Sequence, residues 1–277
     1  MTVFTTLQNL VPQQTLSEVA GRLAQSRHPW VKKTFIRTFA TAYGIKLDEY
    51  ERRSLSQYDS FNDFFTRELR ADARTIDADT DSVVCPADGK VSQIGQINDQ
   101  QLLQAKGRTY SVAQLLGDFE LGKAMTDGSF ATIYLAPTNY HRVHMPFEGT
   151  LVETIYVPGQ LFSVNNETAE NIPDLFARNE RCVCVFDTEF GKACVVLVGA
   201  MIVAGIETVA TGKIKRSDKV QRQTHDVKLA KGDELGRFYL GSTAIVVLPK
   251  SAGTAWTAGL YNGVPVKMGQ KLGIFTK

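Results

Sequence analysis

The stretch Arg237–Leu248, RFYLGSTAIVVL, reads as two β-strands that meet at Gly241-Ser242. Aromatic and β-branched residues fill both sides of the step, a composition suited to a pleated, packed surface. The step has two readings. Gly241 and Ser242 form only a bend, or the Ser242 hydroxyl is a nucleophile directed at the backbone beside it. The surrounding sequence has to decide between a plain β-domain and a reactive one.

Strand texture extends both ways from this stretch. KGDELGRF (231–238) and MGQKLGIF (268–275) share Gly, Leu, Gly and Phe at matching offsets. Each reads as a Gly turn leading into a strand, so the pair predicts a compact β-domain with two similar hairpin units. Upstream, ACVVLVGAMIVAGI (193–206) is the most apolar run. It is shorter than the roughly 20 residues of a spanning helix, β-branched and broken by Gly199, which predicts a buried strand with a bend and no transmembrane helix. From about residue 80 onward, short β-branched runs alternate with Gly, Pro and Asp turns.

The first 70 or so residues differ. Thr15 and Glu18 form a T-x-x-E capping pattern, followed by Leu16, Val19, Ala20 and Leu23 at helical spacing. After Pro29, Val31, Phe35, Phe39 and Ala42 continue that spacing to a stop at Gly44. Trp30, Phe35, Ile36 and Phe39 are interleaved with Lys32, Lys33 and Arg37, a pattern that suits a membrane interface or a helix docked on its own domain. SFNDFFTREL (60–69) predicts a short helix capped by Ser60, with an apolar face of Phe61, Phe64, Phe65 and Leu69. The fold class expected is α+β: a helical region over 1–75 and a β-rich, barrel- or sandwich-like domain of short antiparallel strands over 76–277.

The 277 residues carry a net charge of +2, so no whole-molecule field argues for nucleic acid. The four cysteines (Cys85, Cys182, Cys184, Cys194) form no spaced framework. With no secretory hydrophobic segment at Met1, reduced thiols in the cytoplasm are expected. Cys182 and Cys184 would share a buried strand face.

Chemistry concentrates in three places. CPADGKVSQIG (85–95) holds Asp88 at a turn before a strand, APTNYHRVHMP (136–146) holds His141 and His144 between prolines, and LGST (240–243) is the step itself. The two histidines do not form H-E-x-x-H and have no obvious third ligand, so no metal is expected. An Asp-His-Ser set is the chemistry these residues allow, but such a set is recognised by geometry rather than order.

Read together and in order, SFNDFFTREL, PADGKV, YHRVHMP, YVPGQLFSVN (156–165), LFARNERCVCVFDTEFG (175–191), KGDELGRF and LGST resemble the phosphatidylserine decarboxylase proenzymes. The resemblance runs from about Tyr58 to the C-terminus, leaving the first 50 residues to pattern alone. It implies a proenzyme that makes its own cofactor. Ser242 attacks the Gly241 carbonyl, the amide becomes an ester, and elimination leaves a β-chain (1–241) and an α-chain (242–277) headed by a covalent pyruvoyl group, with neither metal nor pyridoxal phosphate. It assigns the base to His144 and the orienting carboxylate to Asp88. The pyruvoyl would form a Schiff base with phosphatidylserine, release carbon dioxide and return phosphatidylethanolamine, with His141 protonating the carbanion. The expected partners are phosphatidylserine in an anionic membrane and the paired α- and β-chains, with a homodimer as an assembly the analogy allows. The expected location is peripheral, on the cytoplasmic face of the cell membrane, and Arg178 and Arg181 are candidates to meet lipid phosphate. Many relatives carry Asp where this chain has Asn139, a difference that bears on the histidine pKa values. Two other classes compete. One is a carrier module modified at Lys267, whose VKMGQ context fits poorly. The other is a serine hydrolase, whose G-x-S-x-G elbow is absent.

Overall fold

A computed structural model describes residues 13–200, 205–239 and 242–276. Helix α1 (Gln13–Gln25) and α2 (Pro29–Ala42) lead into the short α3 (Phe61–Phe65). Thr15 lies within α1 rather than at its cap. The Ser60 hydroxyl caps α3 by accepting from the Asp63 N–H at 3.1 Å, as expected. Ile36, Ala40, Phe61, Phe64 and Phe65 bury together, and Phe39 packs edge-on to three of these rings. One side of α2 thus docks on its own chain. Trp30 (73%), Val19 (51%), Leu23 (44%) and Phe35 (39%) nevertheless stay exposed.

The rest is antiparallel sheet. In chain order the strands are β1 (Ser82–Val84), β2 (Gly89–Gln96), β3 (Gln101–Ala105), β4 (Arg108–Ser111), β5 (Ser129–Leu135), β6 (Arg142–His144), β7 (Gly149–Val157), β8 (Arg181–Thr188) and β9 (Gly191–Gly199). They continue as β10 (Ile206–Thr208), β11 (Gly212–Lys213), β12 (Gln221–Leu229), β13 (Glu234–Phe238), β14 (Ser242–Leu248), β15 (Thr254–Trp256), β16 (Pro265–Val266) and β17 (Lys271–Phe275). Eight form the central sheet β12-β7-β8-β9-β14-β5-β2-β16, flanked by β11-β10-β13-β6 and β1-β17-β15. The central sheet has free edges at β12 and β16, so among the described residues no barrel closes.

β14 is interior, paired to β5 on one side and β9 on the other. Its residues alternate between two cores: Ile245 and Val247 enter one, Ala244, Val246 and Leu248 the other. A strand covered on both faces has no need of polar alternation, which accounts for the five apolar residues after Thr243. The apolar run before Gly199 is β9, likewise buried on both faces; residues 201–204 of that run lie outside the described residues. Cys182 and Cys184 share one core, and all four cysteines are free and buried.

The two Gly turns of the repeat are real. Gly232 and Gly269 have φ of +92° and +83°, where L side chains are strained. A Cβ on either would strike Thr75 or Ile76, so one short segment fills both turns. The relation extends further than the sequence showed. Met145-Pro146 and Cys85-Pro86 run past each other, with His144 N–H donating to Pro86 O (2.8 Å) and Val84 N–H to Pro146 O (2.9 Å). Gly232 N–H donates to Met145 O (2.9 Å), and Gly269 N–H to Cys85 O (3.0 Å). This two-fold-like crossing brings the Asp88 turn, the histidine strand and both Gly turns to one place.

Candidate active site

Ser242 opens β14, its Cα paired with Leu135 and Gly199. Strand alternation puts its side chain on the face of Ala244 and Val246, whose core also holds Val143 and Phe238. The residue is fully buried, and its hydroxyl has no hydrogen-bond partner among the described residues. A buried unpaired hydroxyl costs roughly 1–3 kcal/mol, so this one calls for a chemical reason. Gly241, the residue before it, lies outside the described residues.

His144 ends β6. Its ring Nδ1 lies 2.8 Å from the Gly232 carbonyl and its Nε2 lies 2.8 Å from the Tyr140 hydroxyl. A carbonyl can only accept, so Nδ1 carries the proton and Nε2 presents a lone pair to the Tyr140 O–H. Burial holds its pKa below the usual histidine value, which keeps the ring neutral at neutral pH. Tyr140 is itself buried, and burial raises its pKa.

His141 precedes β6 and is fully buried. Its ring stacks on Phe65 at 4.0 Å, and neither ring nitrogen has a hydrogen-bond partner among the described residues. Burial first, and the nearby Arg67 charge second, push its pKa down to about 3. Arg67 is buried against the Tyr50 and Phe64 rings and donates to the carbonyls of Thr138 and Asn139, which fixes the loop carrying both histidines.

Asp88 sits in the neighbouring turn, but its carboxylate does not bond His144. Arg74 holds it with two arms, Nε to Oδ1 at 3.0 Å and Nη2 to Oδ2. The Met268 N–H adds a bond to Oδ1 at 2.9 Å, and Lys267 Nζ stands 3.7 Å from Oδ2. A guanidinium fork matches a carboxylate better than a neutral imidazole does, so the bond expected from Asp88 to His144 goes to Arg74, and Gly232 orients the ring instead. Arg74 and Tyr140 had no role in the sequence reading. Arg74 lies in a loop of no recognisable pattern, whereas the place of Tyr140 in YHRVHMP was a usable signal.

The candidate phosphate ligands also resolve. Arg181 is buried and donates to the carbonyls of Leu115 (2.6 Å), Asn179 (2.8 Å) and Gln114 (2.5 Å), a structural role. Arg178 lies over the Phe162 ring and donates to Gln160 Oε1 at 3.0 Å. Lys267 carries an ordinary contact to Asp88. Among the described residues, no three His, Cys, Asp or Glu side chains gather as a metal would need.

A buried serine, two buried histidines and a fixed carboxylate are residue types that acid–base chemistry uses, and the crossing strands bring the Asp88 turn and the His144 strand together. The family model described as phosphatidylserine decarboxylase matches residues 61–274, and a second, described as PSD, matches residues 3–44. Proteins named phosphatidylserine decarboxylase proenzyme match nearly end to end. The one from Psychrobacter arcticus is 69% identical over 98% of each chain, and that from Psychrobacter cryohalolentis 68% over 99% of each. One from Acinetobacter baumannii is 55% identical over 98% of this chain and 95% of its own. The chain belongs to the phosphatidylserine decarboxylase family and is a decarboxylase. The first 50 residues, which sequence reading left outside the resemblance, fall inside it.

Proposed function

We propose that this chain is a self-cleaving proenzyme that decarboxylates phosphatidylserine to phosphatidylethanolamine. The observation that carries the proposal is the buried Ser242 hydroxyl, without a hydrogen-bond partner among the described residues, at the head of an interior strand. Pairing on both sides holds the Ser242 backbone still, so the hydroxyl can be presented to the carbonyl before it. His144 is the base, Nδ1–H anchored to Gly232 and Nε2 ready for the serine proton once Tyr140 gives way. The Gly241–Ser242 amide becomes an ester, and elimination releases a C-terminal Gly241 and leaves dehydroalanine. Water then converts that residue to a pyruvoyl with loss of ammonia. Arg74 fixes Asp88, and Asp88 accepts from the Met268 N–H, so residues before and after the break are tied together. Interior strands β14 and β17 would remain hydrogen-bonded on both sides after cleavage, so processing need not loosen the fold.

The residues present fit a pyruvoyl at 242, since its carbonyl would fill a site with no competing hydrogen bond. Such a group would supply a carbonyl for the substrate amine and an electron sink for the pair left by carbon dioxide. We assign His141, buried against Phe65, the delivery of a proton to the resulting carbon; with its pKa about 3 in the free chain, it would carry that proton once the anionic substrate raises the pKa. Substrate reaches the site from a bilayer. No helix among the described residues is long and apolar enough to cross a membrane. The exposed Trp30, Phe35, Val19 and Leu23 support peripheral docking through the N-terminal helices; the cytoplasmic face is the side we assign it.

Intact mass and a denaturing gel on fresh protein test the proposal beside Ser242→Ala. Two chains with a blocked residue 242, and release of carbon dioxide from carboxyl-labelled phosphatidylserine, are expected. Full activity from an uncut chain would sink it.

A further inference from the structure

A hollow of about 590 Å³ opens between α2 and the segment 47–56. None of its lining residues belongs to the segments that carry Asp88, His141, His144 or Ser242. Ile36, Leu47 and Leu55 supply apolar floor, while Lys33, Arg37 and Arg53 stand around it. No acidic side chain lines it.

These three cations are exposed, and each lacks an ion pair or hydrogen bond to any described residue. Several other arginines do meet carboxylates, while exposed Arg22, Arg27 and Lys46 are, like these three, without an ion pair among the described residues. Arg52, beside Arg53, forks onto Asp63, and Arg74, Arg142, Arg222 and Arg237 all meet carboxylates. Three like charges around one hollow repel, and a bound anion would relieve them. An apolar floor continuous with an anion-binding rim matches an amphiphile rather than a simple anion or a nucleic acid. The same helices expose Trp30 and Phe35, which puts the mouth of the hollow at the level of a bilayer interface.

We infer that this groove seats one anionic phospholipid, its phosphate on Lys33, Arg37 and Arg53 and the head of one acyl chain on Ile36, Leu47 and Leu55. The inference rests on the membrane reading above and adds a discrete lipid site apart from the reacting serine. The reaction turns an anionic lipid into a zwitterionic one, so occupancy falls as a membrane is depleted of substrate, and the enzyme loosens from it.

The test is titration of the processed enzyme with dihexanoyl phosphatidylglycerol, below micelle formation, followed by calorimetry. Wild type should saturate at one equivalent. The triple variant Lys33→Gln/Arg37→Gln/Arg53→Gln should bind at least about tenfold more weakly, given roughly 1 kcal/mol for each basic group at an anionic lipid surface. The control Arg22→Gln/Arg27→Gln/Lys46→Gln, which removes equal charge from the same region outside the groove, should stay near wild type. All six side chains are exposed, so neither triple threatens folding. Equal losses in both triples, or one-to-one binding that survives the groove triple, overturn the site. Turnover of a soluble short-chain phosphatidylserine should be unchanged in the control triple. A chain that never cleaves would instead fail the proposed function, and the titration would still read out on it.

Discussion

His141 and His144 stand three residues apart and occupy opposite kinds of surroundings. His144 has both ring nitrogens engaged, one by a backbone carbonyl and one by a tyrosine hydroxyl. Among the described residues His141 has neither nitrogen in a well-formed hydrogen bond, the Pro137 and Ala136 backbone only partly offsets its burial, and the ring lies flat on Phe65. Under the proposed mechanism this contrast corresponds to a division of labour. A ring held by backbone is oriented before anything binds, which suits a base that acts once on its own chain. A ring with orphan nitrogens in a dry pocket waits for a partner from outside, which suits a proton donor to substrate.

The largest expected effect separates the two. His144→Ala should leave the chain uncut, slowing cleavage about 10²–10⁴-fold, the usual contribution of a positioned base. His141→Ala should cleave near the wild-type rate and then lose decarboxylation by a similar factor. Chain splitting on gels and labelled carbon dioxide release read the two separately. Exchanged phenotypes would break the assignment.

Next comes stability against pH. The folded-state pKa of His141 is about 3, below its ordinary 6.5. Stability from keeping this ring neutral is therefore complete above 6.5 and declines as pH falls below it. In a Ser242→Ala background, folding free energy should drop by about 3 kcal/mol between pH 7 and about pH 4.5 from this group alone. The lowered pKa of His144 adds in the same direction. Denaturant midpoints across pH measure the slope, and His141→Phe should flatten it. An unchanged slope would mean that the ring is not dry.

Much of this arrangement was legible in the residues. The Gly turns at 232 and 269, the Ser60 cap and the buried strand before Gly199 follow from local chemistry, and all are present. The Met145-Pro146 and Cys85-Pro86 crossing was not legible. It joins segments 60 residues apart that share only a proline and a turn, with no period to betray it. The Asp88–His144 bond was expected by analogy, and the structure gives Asp88 to Arg74. Which donor reaches a carboxylate first depends on the loop path from α3 to β1, and no local pattern encodes that path. Arg181 failed as a phosphate ligand for a related reason: sequence shows its charge, while only the fold shows three carbonyls waiting for it.

A smaller effect probes what Tyr140 does for His144. Its O–H favours the neutral ring, so Tyr140→Phe should raise the His144 pKa and move the acid limb of the cleavage profile upward by up to about one pH unit, the worth of one ordinary hydrogen bond. Cleavage rates between pH 5 and 8 would show it. A collapse as deep as that of His144→Ala would instead place Tyr140 in the proton path.

Asn139→Asp should do least. The Asn139 side-chain oxygen accepts from the Ala136 N–H at 2.8 Å, closing the turn before the histidines, and a carboxylate can accept the same bond. What changes is one negative charge, half-buried and close to two neutral rings and the Arg67 guanidinium. The charge favours the protonated form of each ring, so both pKa values rise, His144 by a few tenths of a unit after solvent screening. Turnover should stay within about twofold, because neither hydrogen bond of His144 is touched. A shift larger than that of Tyr140→Phe would show that charge, rather than hydrogen bonding, sets the state of His144. The contrast between the satisfied and the orphaned histidine would then lose its physical basis.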